Sequence, residues 1–333
     1  MQKIDYDALV KNAEYFKKIL GKSELCAVVK NDAYGHGLER SARYLAPIAD
    51  CFAVGSVYEA EQIVRFNRDV LVLIPIVTDC EIVKAAELNA VLTIDSFVTL
   101  AAVNAAVKSS RKTVRAHIKI DSGMSRLGFL RQDLPKLIDT LKECRFIDVQ
   151  GVYSHFWSVD EQSCDKQFAY FISCAEALEN SLNRRLKKHI ANSSATLLSD
   201  KYHLDMARVG LGLYGYGNDA LRSVKTVTAR VVAVKRVLRG EVVGYGGLYK
   251  CEKDTNIAVI NVGYANGFAR TLAGSYVGIN GMRFPVVAVC MAMIMVDVGD
   301  ATVEVGDEVT LVGNGVNISN DSVIIYELLC NLH

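Results

Sequence analysis

Residues 25–37 read LCAVVKNDAYGHG. An apolar run, Leu25 to Val29, ends in a lysine, and a turn-rich piece with a tyrosine and glycines follows it. A short, continuously apolar run suits a strand buried on both faces, as in a parallel sheet. The pattern recurs in CFAVGS (51–56), VLVLIP (70–75), AVLTID (90–95), RAHIKID (115–121), DVQGVYSHF (148–156), KHIANS (188–193) and LDMARVG (204–210). Amphipathic stretches such as SVYEAEQIVRF (56–66), DLPKLIDTLKE (133–143) and DKQFAYFISCAEALEN (165–180) lie between them. Strands alternating with helices predict an α/β fold, a (β/α)8 TIM barrel over residues 1–220. An open doubly wound sheet is the alternative.

From residue 221 to 333 the pattern changes to strand-like runs broken by Gly, Asn and Asp: VKTVTARVVAVKRVL, EVVGYGGLY, NIAVINVGYA, FPVVAVCMAMIMVDV and DEVTLVG. Only SVIIYELLCNL looks helical, so a mostly β C-terminal domain is expected. The apolar run Phe284–Val296 is β-branched and too short to cross a bilayer, and reads as sheet.

Lys plus Arg number 38 against 37 for Asp plus Glu, a balance that gives no reason to expect a nucleic-acid or membrane partner. The nine cysteines are odd in number and form no C-x-x-C pair. They read as reduced thiols of a cytoplasmic protein. MQKIDYDALVKN carries charges where a signal peptide needs an apolar segment.

Barrels place their chemistry at the C-terminal ends of the strands. Those ends carry Lys30, Lys119 with Asp121, His155, Asn192 with Ser193, and Arg208. Each also has a plain structural reading. Lys30 can snorkel to solvent, or it can be a Schiff-base lysine whose amine needs burial or nearby cations. His155 can be a satisfied core histidine, Asn192 and Ser193 a helix N-cap, and Arg208 a partner for Asp205 or Asp121. Gly210, Gly212 and Gly215 match G-x-G-x-x-G, but no acidic residue follows at the spacing a dinucleotide site requires, and that reading is rejected. No His, Cys or carboxylate cluster has metal-ligand spacing, and no Ser-His-Asp set is apparent.

AVVKNDAYGHG resembles the cofactor-lysine segment of bacterial alanine racemases. KIDSGMSRLGF (119–129), YSHFW (153–157), ANSSATL (191–197), ARVGLGLYGY (207–216), VGYGGLY (243–249), VGYANGF (262–268) and VCMAM (289–293) resemble further segments of that family, in order. The resemblance implies a pyridoxal 5'-phosphate enzyme that interconverts L- and D-alanine, supplying D-alanine for peptidoglycan. Lys30 would hold the cofactor. Tyr34, Ser193, with Asn192 beside it, and the amides near Gly210 and Leu211 would bind its phosphate. Arg208 would face its ring nitrogen, His155 would hydrogen-bond in that network, and Arg126 would meet the ring hydroxyl or the substrate carboxylate. The residue matching Lys119 is often carbamylated in the family and steadies that arginine.

The resemblance further implies a homodimer with shared sites. Lys30 would act on one face of the substrate Cα, and Tyr264, reaching in from the other subunit beside Met291, on the opposite face. A free tyrosine titrates near pH 10, so Tyr264 would need cationic neighbours, for which the His155–Arg208 pair is the candidate. Read alone, Tyr264 in its glycine-flanked turn is only turn packing.

The sequence departs from the family pattern in three places. Ala292 and Asn266 stand where Asp is usual, and the chain closes on CNLH before a tail in which the family carries a tyrosine near the phosphate. Weaker phosphate binding and a more open entrance are the expectations. A racemase of serine or another small amino acid, or a weakly active cofactor-binding paralogue, are the alternatives. A fold-related decarboxylase is disfavoured, because an arginine at the ring nitrogen makes a weak electron sink.

Overall fold

The computed structural model describes residues 1–313, 315–318 and 323–332. The chain divides into two compact units, one of residues Asp7–Ala33 and Gly37–Arg222, the other of Met1–Tyr6, Tyr34–His36 and Ser223–His333.

The first unit holds the expected parallel barrel. Following a short strand β1 (Gln2–Ile4) of the other unit, its strands are β2 (Glu24–Val28), β3 (Cys51–Val54), β4 (Asp69–Val72), β5 (Val91–Ile94), β6 (Val114–Lys119), β7 (Ile147–Tyr153), β8 (Lys187–His189) and β9 (Met206–Val209). They pair in parallel in the order β8-β7-β6-β5-β4-β3-β2-β9. The ring closes between β8 and β9, where Arg208 N–H donates to the Ala191 carbonyl at 3.0 Å and Asp205 N–H to that of Lys188 at 3.1 Å. Cys26, Phe52, Val54, Val72, Leu92 and Ile118 are buried, as continuous apolar strands require.

Polar residues set where the helices begin. Ser56 Oγ accepts the Glu59 N–H at 3.2 Å, starting helix Val57–Ile63. Asp160 Oδ1 accepts the Ser163 N–H at 2.9 Å and starts helix Glu161–Leu182. Each cap satisfies a helical donor that has no partner inside its own helix.

The second unit contains a closed antiparallel ring. Its strands are β10 (Lys225–Val237), β11 (Val242–Val243), β12 (Tyr249–Lys250), β13 (Thr255–Ile260), β14 (Tyr276–Ile279), β15 (Met282–Val289), β16 (Ile294–Gly299), β17 (Glu308–Gly313) and β18 (Val316–Asn317). β10 is long enough to pair with β17 along its first half and β13 along its second, and the ring runs β10-β13-β16-β15-β14-β17 back to β10. Closure leaves few open sheet edges. β1 pairs with β10, so the first residues of the chain belong to this unit and not to the barrel. The apolar run Phe284–Val296 is sheet, as expected, but it folds back on itself. β15 ends at Val289, Cys290 N–H bonds the Met293 carbonyl at 2.8 Å, and β16 returns.

Candidate active site

The segment after β2 is unusual backbone. Asn31, Asp32, Ala33 and Tyr34 all have φ between 52° and 56°, in the left-handed region. Each such residue costs about 1–2 kcal/mol, so four in a row persist only where surrounding bonds hold them. Ala33 N–H donates to the Val29 carbonyl at 2.9 Å and Gly37 N–H to that of Asp32 at 3.0 Å. The Glu59 carboxylate bridges two loops, accepting the Gly55 N–H at 2.7 Å and the Asp32 N–H at 3.2 Å. Sequence reading missed Glu59. Its position on the exposed-looking part of an amphipathic helix gave no signal. Lys30 opens this braced turn and is half-buried.

Arg208 is buried on β9 and forms a hub. One guanidinium nitrogen donates to His189 Nδ1 at 2.6 Å. The other donates to the Ser154 carbonyl at 2.6 Å and lies 3.2 Å from both His155 Nδ1 and the Ile190 carbonyl. Asp205 pairs with Arg185 instead, at 2.7 Å. Because an arginine only donates, His189 Nδ1 must accept, which leaves its Nε2–H for His117 Nδ1 at 2.9 Å. Burial, then the Arg208 charge, push His189 well below its usual range. Burial and neighbouring cations hold His117 down to about 3. His155 is depressed by burial first, then by Arg208, Lys119, Arg126 and Lys30. The expected cationic His155–Arg208 pair is therefore one cation and one neutral imidazole. Tyr153 lies at the centre of the group. Its ring stacks on His189 at 4.8 Å, with Lys119 Nζ at 4.5 Å and Arg208 Cζ at 5.0 Å from its centroid. His117, His189 and Tyr153 were missed in the sequence, where they read as strand residues.

The mouth is thus rich in positive charge. Lys119, at the end of β6, is buried with Arg208 and Arg126 nearby. Burial first, then those two charges, bring its amine down to about 7, against the opposing pull of Asp121 and Asp95. Arg126 itself is exposed. Asp121 does not bind Arg208; its Oδ1 accepts the Gly123 and Ser125 amides at 2.9 and 3.2 Å and shapes the loop.

Lys119 gives a pH-dependent stability. Its folded pKa lies below the unfolded value near 10.4, so above about pH 7 the unfolded chain binds more protons and stability rises with pH up to about 10. Below pH 7 the full cost is present. Lys119→Met is expected to stabilise the protein by on the order of 3–5 kcal/mol at pH 6, with a smaller gain at pH 9. Urea unfolding in carbon-dioxide-free buffer measures this, and no gain at pH 6 would contradict the assignment.

Asn192 caps helix Ser193–Leu198, its Oδ1 accepting the Ala195 N–H at 3.0 Å, while Ser193 is the first residue of that helix. Ser193 Oγ accepts the amides of Gly210 and Gly212 at 3.0 and 3.1 Å, joining the end of β8 to the turn after β9. The Gly210 amide is therefore already engaged, while the Ser193 hydroxyl hydrogen can still be donated. Leu211 begins a 3-10 turn, Leu211–Tyr214, where a dinucleotide motif would need an α-helix. Gly212 is required for another reason: a Cβ there would meet the Phe16 ring at 2.4 Å.

In the second unit, Tyr34 is buried and its ring lies 6.0 Å from that of Tyr326 on helix Ile325–Asn331. Burial, then Tyr326 and Cys330, push its phenol upward, so it remains an O–H donor at neutral pH. Tyr326, which sequence reading passed over, thus stands beside Tyr34. Tyr264 and Met291 lie in adjoining turns. Tyr264 N–H donates to the Cys290 carbonyl at 3.1 Å and Ala265 N–H to that of Met291 at 2.9 Å. Tyr264 is 44% exposed and Met291 61%. Ala292 is exposed beside them, and Asn266 Oδ1 accepts the Gly263 N–H at 3.2 Å, so Asn266 serves its own turn.

Among the described residues there is no group of three or more metal-ligating side chains, and no helix is long and apolar enough to cross a membrane. Residues 4–218 match the family model for the alanine racemase N-terminal domain, and residues 224–333 that for the C-terminal domain. Barrel, β unit and both matches define an isomerase of the racemase class. The alanine racemase 1 of Oceanobacillus iheyensis is 35% identical over 317 residues, covering 89% of this chain and 83% of that one. An alanine racemase structure from Clostridium difficile 630 has a TM-score of 0.85 at 30% identity, covering 100% of this chain and 93% of the other. One from Bartonella henselae, solved with covalently bound pyridoxal phosphate, has a TM-score of 0.89 at 27% identity, covering 100% and 96%. The chain belongs to the alanine racemase family.

Proposed function

We propose that the protein interconverts L- and D-alanine with pyridoxal 5'-phosphate as cofactor, by two bases on opposite faces of the substrate. The observation that carries this is Lys30 on its braced turn at the C-terminal end of β2, in a chain of this family. The donor set fits the cofactor. Lys30 offers an amine, Ser193 offers a hydroxyl beside Asn192 and the turn at Gly210 and Leu211, and Tyr34 would offer a second hydroxyl to a phosphate. Arg208 offers a fixed cation to a ring nitrogen. When bound, the cofactor withdraws electrons from the substrate Cα and so acidifies its proton.

The protein's own residues do the rest. Arg208 cannot accept a proton at any working pH, so a ring nitrogen facing it would stay unprotonated and its electron demand would be modest. Modest demand favours return of the proton over side reactions. The neutral His155 and His189 orient Arg208 without adding charge. Lys30 removes or returns the α-proton on one face, and Tyr264 of a second copy does so on the other. Arg126 of the same barrel would pair with the substrate carboxylate, and Met291 of the second copy would meet the substrate beside Tyr264. Lys119, its amine held near 7, is partly unprotonated at neutral pH and suited to react with carbon dioxide. The new N–C bond releases one proton and leaves an anionic carbamate, which suits the cations around it.

A homodimer with shared sites is part of the reading. Tyr264, Met291 and Met293 are exposed side chains of the β unit, with Tyr264 and Met291 on adjoining turns, and a second copy would cover them. A cytoplasmic setting agrees with nine cysteines that show no disulfide-framework spacing, and peptidoglycan synthesis is the use proposed for the D-alanine.

The test is proton NMR of amino acids in D2O with the purified protein. Loss of the Cα–H signal from L-alanine, with D-alanine appearing and L-serine reacting more slowly, is the expected result. Faster exchange of serine would reassign the substrate, and no exchange with any amino acid would sink the proposal.

A further inference from the structure

Lys225, the first residue of β10, is only 1% exposed and among the largest fully buried side chains of the protein. Lysine is rarely buried this completely, because its ammonium loses its hydration. An apolar side chain of the same length would fill the space without that cost. The Nζ contacts indicate what is gained. It donates to the Leu329 carbonyl at 2.8 Å and lies 3.4 Å from that of Gly35.

Leu329 sits in the last turn of helix Ile325–Asn331, where carbonyls lack partners within the helix and a cation is favoured. Tyr326 is on the same helix one turn earlier, and its ring is the one that meets Tyr34. Gly35 follows Tyr34 directly. A Cβ at Gly35 would stand 2.4 Å from the Leu329 carbonyl oxygen, so helix end and turn are in tight contact. Gln2 Nε2 donates to the same Gly35 carbonyl at 2.9 Å, and His36 Nδ1 lies 2.9 Å from the Tyr34 carbonyl. The backbone on both sides of Tyr34 is therefore held, and Lys225 joins it to the helix that supports its ring.

We propose that Lys225 is a positioning residue for cofactor binding: by tying the last turn of helix Ile325–Asn331 to Gly35, it holds Tyr326 against Tyr34 and fixes the hydroxyl that takes the phosphate. The inference rests on the reading of Tyr34 as a phosphate ligand. Lys225 does not touch the cofactor; it acts through Tyr34.

The experiment titrates the cofactor-free full chain with pyridoxal phosphate, followed by the cofactor's visible absorbance. Lys225→Met is measured in the wild-type background and again with Tyr34→Phe. Loss of one well-placed hydrogen bond predicts about tenfold weaker binding in the wild-type background. In the Tyr34→Phe background the same substitution should have little further effect, because the group it positions is gone. A merely structural lysine would lower the melting temperature and leave the affinity unchanged, or weaken binding equally in both backgrounds; either result overturns the proposal. Should Lys225→Met fail to fold, Tyr326→Leu replaces it. That change removes the ring contact from a partly exposed position, and the same dependence on Tyr34 is required. If the wild-type protein itself binds no pyridoxal phosphate, the functional reading falls together with this one. Unchanged affinity in Lys225→Met overturns this one alone.

Discussion

Lys30→Ala should lower the rate of alanine α-proton exchange by about 10⁴-fold or more. A positioned acid–base group alone contributes about 10²–10⁴-fold, and Lys30 is proposed to hold the cofactor as well as to move the proton. The folded state should survive. Lys30 is half-buried, and the turn after it is held by backbone bonds and by Glu59, none of which uses the lysine side chain. The matching measurement is NMR exchange in D2O beside a thermal melt. A variant that melts like wild type yet keeps a tenth of its exchange rate would remove Lys30 from the mechanism. Loss of exchange with a collapsed melt would show that the lysine had been needed for the fold.

Mixing two inactive variants should restore activity. If Tyr264 serves the site of the opposite subunit, Lys30→Ala and Tyr264→Phe fail for different reasons and at different places. In a mixed dimer one site carries both defects and the other carries neither. Random exchange gives mixed dimers in about half of the population, each with one working site of two, so activity should recover to about a quarter of wild type. The two proteins are mixed, allowed to exchange subunits, and assayed against each alone. No recovery, despite exchange demonstrated by differently tagged subunits, would place Tyr264 outside a shared site. The exposure of Tyr264 and Met291 on adjoining turns is the local feature that makes this arrangement workable.

The barrel was legible because its signal is local. Each strand is a short apolar run, each helix an amphipathic one, and all eight strands of the ring appear where the runs fall. The break inside Phe284–Val296 was not legible. Met291 and Met293 are as apolar as the strand residues beside them, and composition does not distinguish a turn that exposes its apolar side chains from a strand that buries them. Membership of β1 in the β unit was equally hidden, because three residues carry no period and only their pairing with β10 assigns them.

The site divides in the same way. Lys30, Lys119, His155, Ser193 and Arg208 stand out because each is a polar residue at the end of an apolar strand. His117, His189 and Tyr153 sit inside strands and look like ordinary pleated residues until closure of the ring brings them together around Arg208. Glu59 lies on a helix face that reads as solvent-exposed until the loop after β2 comes down onto it. Sequence by itself determined the two-part architecture and the family, and singled out Lys30 as the candidate lysine, since those depend on residue type and order along the chain. Tertiary structure alone decided the charge states in the barrel mouth, the neutral histidines beside one fixed guanidinium and the softened amine of Lys119. Those depend on desolvation and on distances between residues far apart in the chain, and both come into being only when the ring closes.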